Sequence, residues 1–208
     1  IAAKFPNLMR RVGGYNINTI NPAGHNMASL LVGSEGTLAA FRQVELKLHR
    51  IPTHKVMGVC HFPTFYKAMD ATQHIVKLKP HAVELIDRNM IELAREILIF
   101  KPMIAEFVKG EPDSVLVVEF AGEDHAACVA QLRQLEMLMA DLGYPDAVVD
   151  ATAPALQATI GEVRRQGLNI MMSMKSEGKP VSFVEDCAVR LPDLAEYTRR
   201  LTDLFHQH

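Results

Sequence analysis

The sequence predicts an α+β fold: a ferredoxin-like split βαβ antiparallel sheet with helical insertions. The first observation behind this prediction is the order of patterns in residues 55–151, which read strand–helix–strand, extra helices, then strand–helix–strand. The second is composition, since 49% hydrophobic residues in a chain of 208 are enough to form a core. The third is a change of character near residue 50, before which turn residues are dense. We therefore expect two domains, residues 1–50 and 51–208.

The first domain is expected to be an irregular appendage with one strand. Residues 13–26 are rich in Gly, Asn and Pro, as in a loop. Residues 38–48 end in a strict alternation of apolar and polar side chains, which predicts a strand. Residues 51–54 then form a linker.

The second domain contains five strand patterns and six helix patterns, and we expect the helices to cover one face of an antiparallel sheet. The clearest strand is LVVEF, which is apolar and rich in β-branched residues. The predicted strands are Val56–Phe62, Ala82–Ile86, Ser114–Phe120, Ala147–Ala151 and Val181–Val189. The predicted helices are Pro63 to about Leu78, Met90–Phe100, Met103–Lys109 after a break at Pro102, Asp124 (as cap) to Gly143, Pro154–Leu168 and a last one from Pro192.

Composition excludes several classes of function. A net charge of −2 without a basic run argues against nucleic-acid binding, and no apolar stretch is long enough to span a membrane. Cys60, Cys128 and Cys187 are too far apart for a disulfide framework or a zinc cluster, and we expect small buried side chains in a reducing compartment. The nine histidines show no metal-binding spacing apart from a terminal pair, so we predict no metal site. We expect a cytoplasmic protein, free or peripheral to the inner membrane.

The most informative motif is LLVGSEGTLAAFRQVELKLHRIP, residues 30–52. Gly33 and Gly36 permit close approach of a ligand to the backbone, and Ser34 and Thr37 add hydroxyl donors. A turn of this kind can present several N–H groups to an anion such as a diphosphate. A tight turn that enters a strand is the alternative, and the two glycines alone would favour it.

The complete motif resembles the end of the FAD-binding domain in the vanillyl-alcohol oxidase/p-cresol methylhydroxylase superfamily. The similar branch includes D-lactate dehydrogenases, glycolate oxidase flavin subunits and D-2-hydroxyglutarate dehydrogenases, where a GSEGTLG-like turn contacts FAD. The matching residues are Gly33, Ser34, Glu35, Gly36, Thr37 and Leu38. Ala39 stands where many relatives have Gly. Upstream, GGYNINTI resembles the family's "GYNL" segment near the flavin, which implies cofactor contacts for Tyr15 and Asn16; a loop-stabilising Asn is the alternative.

The second half resembles the substrate cap of the same family, the FAD-linked oxidase C-terminal domain. AVELIDRNMIELAR, residues 82–95, is similar to the family's "ELMD" segment, and residues 162–201 are similar to the stretch that precedes its catalytic histidines. Arg164 falls where relatives place an arginine that grips the substrate carboxylate, with neighbouring Arg165 as the rival. Lys179 matches a second substrate-binding position.

Glu185 and Asp186 match the family's "ED-x-x-VP" strand, for which we favour a structural role, although Arg190 replaces the expected Pro. The KPVSFVED string resembles that of large members with a C-terminal iron–sulfur domain.

The resemblance implies that residues 1–50 are the remnant of an FAD-binding domain and residues 51–208 a truncated cap domain. The implied reaction removes the α-hydrogen of a small 2-hydroxy acid as hydride to flavin N5, while the hydroxyl proton goes to a base outside these residues. Further partners would be a missing N-terminal FAD-binding segment and, in an assembled enzyme, a second copy in a homodimer. With one turn of the flavin site, the chain alone should bind FAD weakly or not at all. The alternative is a stand-alone α+β ligand-binding or interaction domain without catalytic activity.

Overall fold

The computed structural model describes residues 2–8, 14–20, 23–24, 27–175, 184 and 187–208. The chain divides into two compact units, the first formed by residues 1–50 with 182–190 and the second by residues 51–181 with 191–208.

The first unit has little regular structure. It contains single turns of 3₁₀ helix at Ala2–Lys4 and Ile17–Thr19, and one short helix, α1, at Ala28–Leu31. The predicted strand at 38–48 is wrong: these residues are irregular, and the side chains of Leu46 and Leu48 are 72% and 88% exposed. The alternating pattern records a preference for strand, but a strand also needs a neighbouring backbone to pair with, and the described part of this unit provides none.

The second unit is built on a four-stranded antiparallel sheet in the order β2-β3-β1-β4. The strands are β1 His54–Phe62, β2 Ala82–Asp87, β3 Ser114–Gly122 and β4 Val148–Ala151. The central strands β1 and β3 pair along their whole length, from His54 opposite Gly122 to Phe62 opposite Ser114. Because β3 lies between β1 and β2, the first βαβ unit is split, which confirms the predicted fold class.

The helices mostly lie where the periodicity predicts them. They are α2 Phe65–Ile75, α3 Arg88–Glu96, α4 Lys101–Phe107, α5 His125–Asp141, α6 Pro154–Arg165, α7 Gly167–Met172 and α8 Leu194–Gln207. Thr64, Asp87 and Asp124 cap α2, α3 and α5, each accepting a hydrogen bond from a backbone N–H two or three residues on. Pro102 does not separate two helices as predicted: it lies in the first turn of α4, where its missing N–H costs nothing.

Helices cover both faces of the sheet, so the prediction that they cover one face is wrong. One core lies between the sheet and α2, α5 and α8, and it contains Val56 and Cys60 of β1. The other lies between the sheet and α3, α4, α6 and α7, and it contains Met57 and Val59 of the same strand. Successive strand side chains point to opposite faces, so a continuous apolar run such as the one in β3 is typical of a strand buried on both.

The strand predicted near the C-terminus, the cysteines and the membrane-span prediction can also be compared with the structure. The predicted strand at 181–189 lies largely outside the described residues, and Val184 and residues 187–189, which are described, form no strand. Cys60 and Cys128 are buried as expected, but Cys187 is exposed. In the described residues, no helix is both long and apolar enough to cross a membrane.

Candidate functional site

The glycine-rich turn of the first unit has an unusual backbone. Three of its four residues from Gly33 to Gly36 have positive φ: 84° at Gly33, 49° at Glu35 and 77° at Gly36. Glycine adopts this region freely, whereas a glutamate there is strained. Turns of this kind can direct consecutive N–H groups to one side and so form a concave site for an anion.

Ser34 lies in the middle of the turn and is only 1% exposed. Its hydroxyl oxygen has no hydrogen-bond partner within the described residues, while its carbonyl accepts bonds from both the N–H and the hydroxyl of Thr37. Because buried polar groups are nearly always paired in native proteins, a buried hydroxyl without a partner fits a ligand that accepts its hydrogen bond.

Tyr15 and Asn16, which the family resemblance places near the flavin, lie against this turn. The Tyr15 hydroxyl is 2.7 Å from the Thr37 hydroxyl. The Asn16 side chain donates to the carbonyl oxygens of Ser29, at 3.3 Å, and Val32, at 3.1 Å. Asn16 therefore holds the loop in place, and its contact with a cofactor stays a prediction.

The turn borders an open pocket of about 670 Å³ in the first unit. Gly33, Glu35 and Gly36 form one part of its lining, and the segment 41–46 forms another, with the apolar Phe41, Val44 and Leu46 beside the polar Gln43 and Glu45. The volume falls within the range of small-molecule and cofactor sites. Apolar side chains beside a turn that can present N–H groups suit a large ligand that has both a flat apolar part and an anionic part.

The candidate site of the second unit is centred on Arg164. It lies in the last turn of α6, its side chain is 25% exposed, and it forms an ion pair with Glu84 of β2. Its Nε is buried without a partner in the described part of the chain. Burial lowers the pKa of Arg164, but a guanidinium stays charged in proteins. The site is thus a partly buried cation whose Nε donor has no partner within the described residues.

The helix that carries Arg164 is firmly anchored. Gln157 is buried, and its side-chain amide nitrogen lies 3.0 Å from each of the carbonyl oxygens of Lys55, Ala151 and Thr152. These contacts tie α6 to β1 and to the end of β4. Arg164 follows Gln157 by about two helical turns and therefore lies on the same side of α6.

Arg165 has a different environment. Its side chain is 70% exposed and pairs with Glu162 of the same helix at 3.0 Å, an ordinary surface arrangement. Lys179, Glu185 and Asp186 lie outside the described residues. In the part of the chain that is described, no group of three or more His, Cys, Asp and Glu residues is placed to hold a metal ion.

Glu84 is the residue that the sequence interpretation missed. It lies in the middle of β2, two positions before the buried Ile86, and so points to the same face of the sheet. The alternation in the sequence AVELID already places Glu84 on the same side of the strand as Ile86. A carboxylate on the core side of a strand needs a cationic partner, and this requirement could have identified Glu84.

The sequence of this chain is similar to that of known proteins. Residues 51–208 match the family described as FAD linked oxidases, C-terminal domain. Over its whole length the chain is 26% identical to a D-2-hydroxyglutarate dehydrogenase of Haemophilus influenzae, of which it covers 21%. It is 29% identical over 200 residues, 95% of the chain, to a D-lactate dehydrogenase of Archaeoglobus fulgidus, of which it covers 40%.

A third relative is a probable mitochondrial D-lactate dehydrogenase of Danio rerio, 41% identical over 71 residues, which are 33% of this chain and 14% of that protein. The chain spans about a fifth of the length of the D-2-hydroxyglutarate dehydrogenases that it matches.

Proposed function

Since this chain belongs to the FAD linked oxidases, whose C-terminal domain it contains in residues 51–208, we propose that it is part of an FAD-dependent oxidoreductase that oxidises a D-2-hydroxy acid. The substrate is of the lactate, glycolate or 2-hydroxyglutarate type, in keeping with relatives named D-lactate and D-2-hydroxyglutarate dehydrogenase. The observation that carries the proposal is the partly buried Arg164 side chain, whose Nε is buried and has no hydrogen-bond partner within the described residues, because a carboxylate is the group that all these acids share.

In this proposal residues 1–50 are the end of the FAD-binding domain, and the turn around Ser34 contacts the cofactor. The N–H groups of Gly33, Glu35 and Gly36 face its anionic part, and Ser34 donates the hydrogen bond that its buried hydroxyl does not make within the chain. When bound, FAD accepts the hydride that leaves the carbon bearing the substrate hydroxyl. Most of the FAD site belongs to a preceding segment of the full-length protein, and an iron–sulfur domain follows the cap.

The cap contributes substrate binding and orientation. Arg164 binds the substrate carboxylate through two parallel hydrogen bonds, and Lys179 supplies a second cation. These contacts fix the position of the adjacent carbon, which bears the hydroxyl group. No residue of this chain is assigned as the base that receives the hydroxyl proton.

The proposal is tested on the full-length flavoprotein under anaerobic conditions. Adding D-lactate, D-2-hydroxyglutarate or glycolate in separate experiments should bleach the visible absorbance of the flavin with at least one of them. The L-enantiomers of the two chiral acids serve as controls and should bleach it far more slowly. If none of these acids bleaches a fully loaded flavin, the substrate class is wrong.

A further inference from the structure

We propose that Glu84 is a positioning residue for substrate binding: it holds the Arg164 guanidinium from one side and leaves the remaining N–H groups for the substrate carboxylate. The inference rests on the proposed role of Arg164 in the cap. It adds a second residue to the site, on a different element of the fold.

The fold gives Glu84 a fixed position. It lies opposite Val117 in the register between β2 and the central strand β3. Val117 and Ile86, next to it on the same face, are buried in the core that the sheet forms with α3, α4, α6 and α7. The carboxylate therefore projects from a rigid element, whereas the arginine side chain has four rotatable bonds and needs an external partner to fix its direction.

The electrostatics explain why the partner is a carboxylate. Arg164 is 25% exposed, and burial lowers its pKa, so the charged form loses much of its hydration on folding. Glu84 is 43% exposed, keeps contact with water and supplies the compensating charge at a smaller desolvation penalty. Without it, we expect the guanidinium to turn towards solvent and away from the position in which it meets the substrate.

The number of donors leaves room for a second carboxylate. A guanidinium carries five N–H donors in one plane. The ion pair with Glu84 uses the Nη2 group, while the Nε group is buried and has no partner within the described residues. Two carboxylates can therefore share the cation, one belonging to the protein and one to the substrate.

The experiment is a double-mutant cycle in the full-length flavoprotein, with Glu84→Ala, Arg164→Ala and the double variant. The probe is whichever of D-lactate and D-2-hydroxyglutarate the parent oxidises, and KM, kcat, flavin content and melting temperature are measured. Glu84→Ala should raise KM about tenfold, equivalent to 1.4 kcal/mol, and change kcat less than about twofold. In the Arg164→Ala background the same change should have almost no further effect, because Glu84 acts through Arg164.

Two further variants separate positioning from general stability. Glu84→Gln keeps an acceptor of the same shape, so it should fold and show a smaller rise in KM than Glu84→Ala. Glu119→Ala is the matched control: Glu119 is a strand carboxylate that pairs with Lys55 at 3.8 Å, and its loss should affect the melting temperature but not KM.

The outcomes distinguish this inference from the function on which it rests. If Arg164→Ala leaves KM unchanged, the substrate carboxylate is bound elsewhere and both ideas are wrong. If Arg164→Ala raises KM but neither Glu84 variant does, the proposed function stands and the positioning role is overturned. A lower KM in Glu84→Gln would identify Glu84 as a competitor of the substrate, which also overturns it.

Discussion

Arg164 and Arg165 are adjacent in sequence but differ in burial, and this difference leads to opposite predictions for them. Arg164→Ala should lower kcat/KM at least about thirtyfold in the full-length enzyme, because losing a charge-assisted pair costs ~2–5 kcal/mol. Arg164→Lys keeps the charge but loses the fork, and should fall between the parent and the alanine variant. Flavin content should not change, since the residue lies in the cap.

Arg165→Ala is the internal control for this measurement. Its side chain is 70% exposed and, among the described residues, pairs with Glu162 of the same helix, so its removal should change the free energy of activation by less than about 0.5 kcal/mol. A large effect at Arg165 and a small one at Arg164 would show that the match to the family motif is shifted by one residue.

His61 makes the stability of the second unit depend on pH. Its Nε2 accepts a hydrogen bond from the N–H of Lys109 at 3.0 Å, and its Nδ1 lies 3.0 Å from the carbonyl oxygens of Val59 and Ala147. The folded state therefore holds the neutral ring with its proton on Nδ1. Burial lowers the pKa of His61 below its ordinary value, and the charge of Lys109 acts in the same direction.

The sign of the pH effect follows from this lowered pKa. The unfolded chain takes up the proton near pH ~6.5, before the folded chain does, so the free energy of unfolding should decrease as pH falls through this value. The decrease should stop below the folded-state pKa, where both states are protonated. Urea unfolding from about pH 7.5 to 5 measures it, and His61→Gln should show a flatter dependence. An equally steep dependence in that variant would assign the effect to another histidine.

At the level of elements, Gly58 shows how closely α5 packs on the sheet. A Cβ atom at this position of β1 would lie 2.8 Å from side-chain carbons of both Leu132 and Leu135, and 3.2 Å from Val148. Gly58→Ala should therefore destabilise the second unit by ~1–3 kcal/mol through overpacking. Gly161→Ala on α6 is the matched control, since a Cβ there meets nothing within 4 Å.

The control should change stability in the opposite direction. Alanine is favoured over glycine within a helix by ~1 kcal/mol, so Gly161→Ala should raise the midpoint of urea unfolding. The two variants are compared in the same titration. A neutral Gly58→Ala would mean that α5 can move away from the sheet at little cost.

Local signals allowed most of the second unit to be predicted. Asp124 was predicted as a cap and accepts from an N–H two residues on, and the apolar runs of β1 and β3 identify strands wherever their partners lie. The strand predicted at 38–48 failed because pairing depends on a partner that residue patterns do not reveal. For the same reason the sequence did not predict that helices cover the second face of the sheet, since this depends on where α3, α4, α6 and α7 pack.

In the candidate site, too, the features set by neighbouring residues could be predicted, whereas contacts between distant residues could not. The turn at 33–37 is a short-range feature, and its glycines and hydroxyls predict its conformation. The place of Tyr15 near the flavin was inferred from a family resemblance, and its contact with Thr37 was not predicted, since nothing in the two local sequences pairs them. The ion pair between Glu84 and Arg164 joins a strand to a distant helix, and only the fold brings the two together.

At the scale of the whole molecule, the prediction concerns cofactor retention. A large cofactor such as FAD is held by many contacts distributed over its length, and in the proposed function this chain supplies a single turn of them. The 208-residue chain expressed alone should therefore be colourless after gel filtration, as measured by the visible absorbance of the eluted protein. The full-length protein, purified in the same way, is the comparison.

Stoichiometric yellow FAD in the isolated chain would contradict this and show that the proposed boundary near residue 50 is wrong. A colourless chain that still melts cooperatively would show that the cap folds without the cofactor.

The strand order also determines when the sheet can form during synthesis. β1 leaves the ribosome first, but its two neighbours in the sheet are β3 and β4, the last strands to be made. Its apolar surface has no strand partner until residue 114 has emerged, and its second edge stays unpaired until Ala151. Non-local pairing of this kind slows folding and prolongs exposure to aggregation and to chaperones. Because Gln157 anchors α6 to that same late edge, Arg164 can reach its place beside Glu84 only after β4 has been made.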